Sequence, residues 1–325
     1  MSAGGEAVGL SEYLKLRRAA VDEALDRFLP RPPECPEAIS AAMRYSLFAG
    51  GKRLRPILVL AAAESVSIHP DMPRAVDSAA SAMRLAMPAA CALEMVHTYS
   101  LIHDDLPAID NDTMRRGRPT LHVVHGEAMA ILAGDGLLTE ALTLIVREPP
   151  DDDFDIVSRK LRAAAIVGRA AGVAGMVGGQ VMDLEASGHA GPKAPPLART
   201  AANLQAMHAA KTGALIRAAA VAGAVMAGAP PALVKAVDRF AADLGLAFQI
   251  VDDILDVEAP SEEIGKTAGK DAEAGKLTYP ALFGMAESKR RARECIDSAE
   301  ETLVTSGLTE GRLLDIAHWV TERRT

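Results

Sequence analysis

AACALEMVHTYSLIHDDLPAID, Ala89 to Asp110, is an apolar run of helical length that ends in a cluster of aspartates. Read as a helix over Ala89 to Asp105, it puts His97 and Asp104 on one face and Ser100 one turn before Asp104. Asp110 stands six residues on and would point about 120° away on a continuing helix. Pro107 breaks the helix, so the loop after it can fold Asp110 back toward Asp104. Negative charge at a helix C-terminus opposes the macrodipole. Three aspartates there are costly unless a cation compensates them. Arg115, Arg116 and Arg118 follow at once, and arginine forks suit phosphate oxygens.

FQIVDDILD, Phe248 to Asp256, repeats the theme at the end of a second long helical stretch. Asp252 and Asp256 are four apart and face the same way, with Asp253 beside them, and like charges at that spacing repel. Carboxylates set among Phe248, Ile250, Val251, Ile254 and Leu255 need partners. Gln249, three before Asp252, can hydrogen-bond a substrate or orient a ligand. Acid clusters next to phosphate-ready arginines make sense with a bridging hard cation such as Mg²⁺, which takes one or two carboxylates and completes its shell with substrate phosphates. A two-walled, Mg²⁺-bridged diphosphate site is the expectation.

Three basic segments are candidates to close such a site. GGKRLRP offers Gly51, Lys52 and Arg55 beside backbone amides freed by glycine, a pattern suited to an anion nest. Lys211 and Thr212 sit in a helix of small residues. EIGKTAGKDAEAGKLTYP alternates glycines with Lys266, Lys270 and Lys276, as expected of a mobile lid.

Around these motifs the composition is that of a helical protein. Apolar residues make up 49% of the 325, yet aromatics only 3%, a diet of helix formers poor in the residues that stabilise sheets. Stretches of helical period run over Ser11 to Leu29, Asp155 to Glu185 and Pro231 to Val257. The fold class expected is all-α: one large bundle of about ten helices around a central cavity, in a single domain over residues 1–325. A net charge of −8 argues against nucleic-acid binding and against adsorption to an anionic membrane. The apolar tracts Ala163 to Gly179 and Ala214 to Ala229 read as buried helices, too short and too interrupted to span a bilayer. Cys35, Cys91 and Cys295 lack ligand spacing and read as free thiols in a reducing cytosol. The N-terminal residues do not have the pattern of a secretion signal.

From GGKRLRP through Lys276 the chain resembles the trans-isoprenyl diphosphate synthases, or polyprenyl synthetases. The first motif is similar to the family's first aspartate-rich motif in its long form: Asp104-Asp105, four residues, Asp110, then Arg115-Arg116. The second, Asp252-Asp253-Ile254-Leu255-Asp256, is similar to its second. The resemblance implies the all-α isoprenoid synthase fold and a short-chain prenyltransferase that condenses isopentenyl diphosphate head-to-tail with allylic diphosphates. It implies Mg²⁺, three ions per site, held by Asp104, Asp110 and Asp252, with Asp105, Asp253 and Asp256 in or beside the shell. Lys52, Arg55, His97 and Arg116 match positions that bind isopentenyl diphosphate, and Gly51 is a further substrate-binding position. Arg115, Lys211, Thr212, Gln249, Lys266 and Lys276 match positions around the allylic diphosphate. A cytoplasmic homodimer is also implied.

Product length then depends on residues about one turn before the first aspartate. A turn rises ~5.4 Å, comparable to one isoprene unit. Tyr99 is the expected partial floor, flanked by Ser100 beneath Asp104, with Met95 one turn deeper. Farnesyl diphosphate is the expected product and geranylgeranyl diphosphate the alternative. A class I terpene synthase is disfavoured because a lyase needs no second diphosphate pocket, and a silent partner subunit because both acid motifs are intact. Two departures from the family pattern stand out: Ile68 to Met87 is longer than the usual connection, and Thr113 occupies a position where relatives often carry an acid.

Overall fold

The computed structural model describes residues 9–72, 79–194, 196–258 and 277–322. Among them are fourteen α-helices and one two-residue β-ribbon, so the all-α expectation holds. The long helices are α1 (Leu10–Phe28), α2 (Glu37–Leu47), α3 (Leu54–Ser67), α4 (Ala79–Asp104), α6 (Glu127–Arg147), α7 (Phe154–Ala171), α8 (Met176–Ser187), α10 (Ala214–Met226), α11 (Pro231–Glu258), α13 (Met285–Thr305) and α14 (Leu313–Glu322). Short helices α5 (Leu121–His125), α9 (Ala201–His208) and α12 (Tyr279–Phe283) fill the corners. With these three the described residues hold fourteen helices against the expected ten or so, because helices of five to eight residues are too short to show a period.

Helices α3, α4 and α10 form the centre, buried on nearly every side. Their alanines and glycines explain the placement. A Cβ on Gly223 would lie 2.1 Å from the Val59 carbonyl oxygen, so α10 and α3 meet backbone to backbone. Around this centre, α6 packs on α4, α7 and α11 pack on α10, and α13 packs on α11. The aspartate-bearing ends of α4 and α11 therefore belong to neighbouring layers of one bundle.

Two expectations need correction. The stretch Asp155 to Glu185 is not one helix; it breaks between α7 and α8, where a Cβ on Gly175 would strike the Ala170 carbonyl oxygen at 2.1 Å. The chain also has helical stretches of spanning length and hydropathy: α4, α6, the run Phe154–Ser187 that contains α7 and α8, and the run Ala201–Met226 that contains α9, the turn after it and α10. The apolar tracts looked too short because the helices run past their ends. Windows in the first and last of these stretches are 72% and 61% buried inside the protein, so they serve as core. The long connection before the first motif goes partly into α4, which begins at Ala79 and carries Pro88 within it. All three cysteines are free.

Candidate active site

A cavity of about 290 Å³ lies between α4, α8 and the segment joining α9 to α10. Its lining combines Arg55, His97, Asp104, Lys211 and Thr212 with the apolar Met176, Val177 and Val181. Tyr99 and Ser100 also face it.

The first acidic wall is built as the proline suggested. α4 stops at Asp104, and the Asp110 amide donates back to the Asp104 carbonyl oxygen at 2.9 Å. Burial raises the Asp104 carboxyl to about 6, with Asp110 and Asp105 adding to the rise and Lys211 and Arg115 opposing it. Asp110 is exposed.

Asp105 departs from its expected place in the metal shell. One residue along a helix is a 100° turn, and this turn buries Asp105, which accepts from Arg115 Nε at 2.8 and 2.9 Å and from Nη2 at 2.6 Å. Burial works against the Arg115 charge, but these contacts hold its pKa above the ordinary arginine value. Arg115 and Arg116 are carried by a β-ribbon that the sequence reading did not anticipate. Met114–Arg115 (β1) pairs antiparallel with Arg118–Pro119 (β2) across a turn with φ of +52° at Arg116 and +72° at Gly117. Positive φ at both central residues is the turn geometry that matches strand twist.

The turn delivers Arg116 to the GGKRLRP segment, where its guanidinium donates to the Gly50 carbonyl. Gly51, at φ +132°, must lack a side chain, since a Cβ would lie 2.8 Å from Arg116 Nη1. Lys52 is exposed, its ammonium 5.8 Å from the centre of the Trp319 ring. Arg55 Nε is buried without a hydrogen-bond acceptor among the described residues. Burial pulls the Arg55 pKa below its ordinary value, against the opposing fields of Glu94 and Asp252. Burial also drives the His97 imidazole well below its ordinary value, helped by the fields of Arg55, Arg116, Arg115 and Arg53. His97 is therefore neutral at pH 7, inside a ring of guanidinium charge. That combination is a receptor for an anion.

On α11, Asp252 and Asp256 lie on one face while Asp253 turns inward. Asp253 was expected beside the metal. Instead it accepts from the Tyr279 amide at 2.9 Å and from Gln249 Nε2 at 3.0 Å, with His208 Nε2 at 3.8 Å. Burial raises it to about 7. One Gln249 amide N–H is thereby committed to Asp253. Among the described residues no three carboxylate or imidazole groups form a ready-made metal cage. Paired carboxylates suit Mg²⁺ all the same, because that ion is typically held by one or two carboxylates plus substrate phosphates. A half-buried Asp104 with Asp110 folded back on it is such a pair.

Lys211 and Thr212 occupy a π-helical turn (Ala209–Gly213) rather than the regular helix expected. Such turns recur at functional sites. Glycines clamp it: a Cβ on Gly179 would lie 2.1 Å from the Lys211 nitrogen, and one on Gly245 would lie 3.2 Å from the Gly213 Cα. Lys211 Nζ donates to Asp183 Oδ2 at 2.5 Å. Asp183 and Gln180, three apart on α8, were missed by sequence reasoning. The signal was two polar residues at helical spacing in an otherwise apolar helix. Met95 is fully buried and is not among the residues that line the cavity, because its turn of α4 faces the core. Tyr99 stands edge-on to His103 with ring centres 5.2 Å apart, and His103 Nε2 lies 3.1 Å from the Ile131 carbonyl oxygen. Lys266, Lys270 and Lys276 lie outside the described residues.

The comparisons with known proteins agree with this geometry. Residues 36–306 match the family model for polyprenyl synthetase. A farnesyl diphosphate synthase from Geobacillus stearothermophilus is 42% identical over 316 residues, 97% of this chain and 98% of that one. A geranylgeranyl diphosphate synthase from Cyanophora paradoxa is 40% identical over 97% of this chain and 96% of its own. The crystal structure of an FPP/GFPP synthase from Zymomonas mobilis superposes with a TM-score of 0.76 at 30% identity, over 96% of this chain and 97% of that one. With two aspartate-bearing helix ends, a guanidinium-ringed histidine and a cavity beside Asp104 that mixes charged and apolar side chains, the chain belongs to the polyprenyl synthetase family and is a short-chain trans-prenyltransferase.

Proposed function

We propose that the product is farnesyl diphosphate, formed by adding isopentenyl diphosphate to dimethylallyl and then geranyl diphosphate. Tyr99 carries this reading. It is 8% exposed, faces the cavity five residues before Asp104, and is braced edge-on by His103. A braced aromatic ring stops an apolar tail where an aliphatic side chain would give way. Geranylgeranyl diphosphate is the alternative, supported by the relative that makes it.

In this reading Arg55, His97 and Arg116, with Lys52 and the glycine-freed amides near Gly51, hold the diphosphate of isopentenyl diphosphate. Lys211 and Thr212 hold the allylic diphosphate, joined by Lys266 and Lys276. Arg115 is oriented by Asp105. Asp104 and Asp110 on one wall and Asp252, supported by Asp256, on the other would hold Mg²⁺, three ions per site. The bound metal supplies positive charge to the departing diphosphate. The apolar side chains that line the cavity, Met176, Val177, Val181 and Leu215, keep water from the allylic cation until the new C–C bond forms.

The test is incubation of the enzyme with Mg²⁺, isopentenyl diphosphate and each of dimethylallyl, geranyl and farnesyl diphosphate, with product length read by chromatography. Farnesyl diphosphate as the end product is expected. Elongation of farnesyl diphosphate would favour the C20 alternative, a cyclised hydrocarbon a lyase, and no elongation would sink the synthase. Tyr99→Ala is expected to shift product toward longer chains. An unchanged distribution would remove Tyr99 from the floor.

A cytoplasmic homodimer completes the proposal. Val123, Val124, Ile131 and Leu132 are each 44–56% exposed on the successive helices α5 and α6, and exposed apolar side chains gathered in one region are the kind of surface that marks an interaction site. Leu132→Glu is expected to lower the mass measured by light scattering from two chains to one. A parent protein already of one-chain mass would refute the dimer.

A further inference from the structure

Gln180 carries an observation that the proposed chemistry has not used. Its Oε1 is buried and accepts from no donor among the described residues, and its side chain lines the cavity. Buried carbonyl oxygens normally find donors, so an orphan one at a reaction cavity calls for a role. Its position along α8 indicates which. Asp183, one turn on, pairs with Lys211; Met176, one turn back, lines the same cavity. Gln180 sits between them along α8, beside the pair whose Lys211 is assigned to the allylic diphosphate. The register is fixed, because Gly179 touches the Lys211 backbone on one side of Gln180 and Asp183 grips the Lys211 ammonium on the other.

We propose that Gln180 is a catalytic residue: its side-chain carbonyl dipole faces the allylic carbons and stabilises the positive charge that develops there. The inference rests on the prenyl-transfer reading of the same cavity. As the bond from C1 to the diphosphate oxygen breaks, its electron pair goes to the diphosphate and the allyl unit is left cationic over C1 and C3. The π pair of isopentenyl diphosphate then forms the new bond to C1, and a proton lost to the departed diphosphate restores neutrality of the chain. A preorganised dipole that meets charge only as it develops favours the transition state over the bound substrate. An acceptor kept free of donors is preorganised in that sense.

The experiment compares two geranyl-chain ligands in the presence of Mg²⁺: a diphosphate whose C3 is replaced by a cationic ammonium nitrogen, and the uncharged-tail thiodiphosphate. Gln180→Met keeps length and removes the dipole. It is expected to weaken the cationic ligand about tenfold and the uncharged one less than about threefold, with kcat falling about tenfold and product length unchanged. Gln180→Glu keeps an acceptor oxygen in place and is expected to retain the preference for the cationic ligand. Equal changes for both ligands would overturn the proposal. So would a longer product at unchanged kcat, which would make Gln180 a tail spacer. A parent enzyme that elongates no allylic diphosphate would overturn the underlying reading, whereas a working parent matched by Gln180→Met overturns Gln180 alone.

Discussion

Asp104→Asn is expected to abolish turnover and, in the same molecule, to stabilise the metal-free protein above pH 6. The two effects have one origin. Asp104 ends α4, where the macrodipole already disfavours negative charge, and it is close enough to Asp110 and Asp105 to feel both. Burial and these neighbours lift its carboxyl from 3.8 to about 6. The folded chain thus holds the proton more tightly than the unfolded chain. Stability falls as pH rises from about 4 to about 6 and stays lower above. At ~1.4 kcal/mol per unit, the penalty at pH 8 is on the order of 3 kcal/mol. Asparagine keeps the shape and cannot ionise, so the variant escapes that penalty. Its advantage over the parent should be visible at pH 8 and gone near pH 4. With a chelator present, urea unfolding at pH 4.5 and pH 8 reads this difference; parallel stabilities at the two values would contradict the assignment. Turnover should drop by about 10³-fold, the scale for losing a preorganised group that counters developing charge. Added Mg²⁺ should restore stability to the parent at pH 8 and do little for the variant. Near-normal turnover in Asp104→Asn would remove Asp104 from the metal wall.

A residue that weakens the fold while it serves the reaction is a conflict within the sequence, and that conflict is what made the first wall legible. Acid at a helix C-terminus, a proline three residues later and arginines after it have no cheap structural explanation. The fold-back of Asp110 followed from the geometry of Pro107 alone, and the Asp110 amide does bond the Asp104 carbonyl. The all-α class was legible for a different reason: the helices that form the core are rich in alanine and poor in aromatic residues, with no strand-like alternation. Neighbours of legible residues were not legible. Asp105 and Asp253 differ from Asp104 and Asp252 by one position, which is 100° of helix, and their partners come from elsewhere in the chain. Tyr279 lies 26 residues beyond Asp253, and Arg115 lies across a ribbon formed by a two-residue turn. Gln180 and Asp183 were hidden because the stretch from Asp155 to Glu185 reads as one continuous helix. Only the break near Gly175 sets the register that aims α8 at Lys211. The π turn beneath Lys211 leaves no periodic trace, since one extra residue shifts the pattern without erasing it.

Glu94→Leu is expected to cost on the order of 3 kcal/mol of stability, although Glu94 is neither a proposed ligand nor near the protein surface. Glu94 lies on α4 ten residues before Asp104 and is 2% exposed; its partner Arg53 is 3% exposed. Arg53 adopts φ +53° at the start of α3. Its guanidinium donates to Glu94 Oε1 at 2.6 Å, Asp22 Oδ1 at 2.8 Å and the Leu47 carbonyl at 2.7 Å. These three contacts, from α4, α1 and α2, fix the backbone that presents Lys52 and Arg55. A buried ion pair adds little net stability over an apolar pair of the same volume, but removal of one partner leaves a buried charge uncompensated, at about 3–5 kcal/mol. The lower end applies here because Asp22 remains, partly exposed, as a second partner. Urea midpoints at constant m-value measure the loss. The double variant Arg53→Met with Glu94→Leu should recover most of it, since no charge is then stranded. A single-variant loss below about 1 kcal/mol would mean that Asp22 and the Leu47 carbonyl satisfy the guanidinium alone. A double variant as unstable as the single would place the cost in packing around α4 instead. The pair sits where the chain needs orientation more than net stability: a guanidinium with three fixed acceptors has one geometry, and the adjoining Arg55 inherits it.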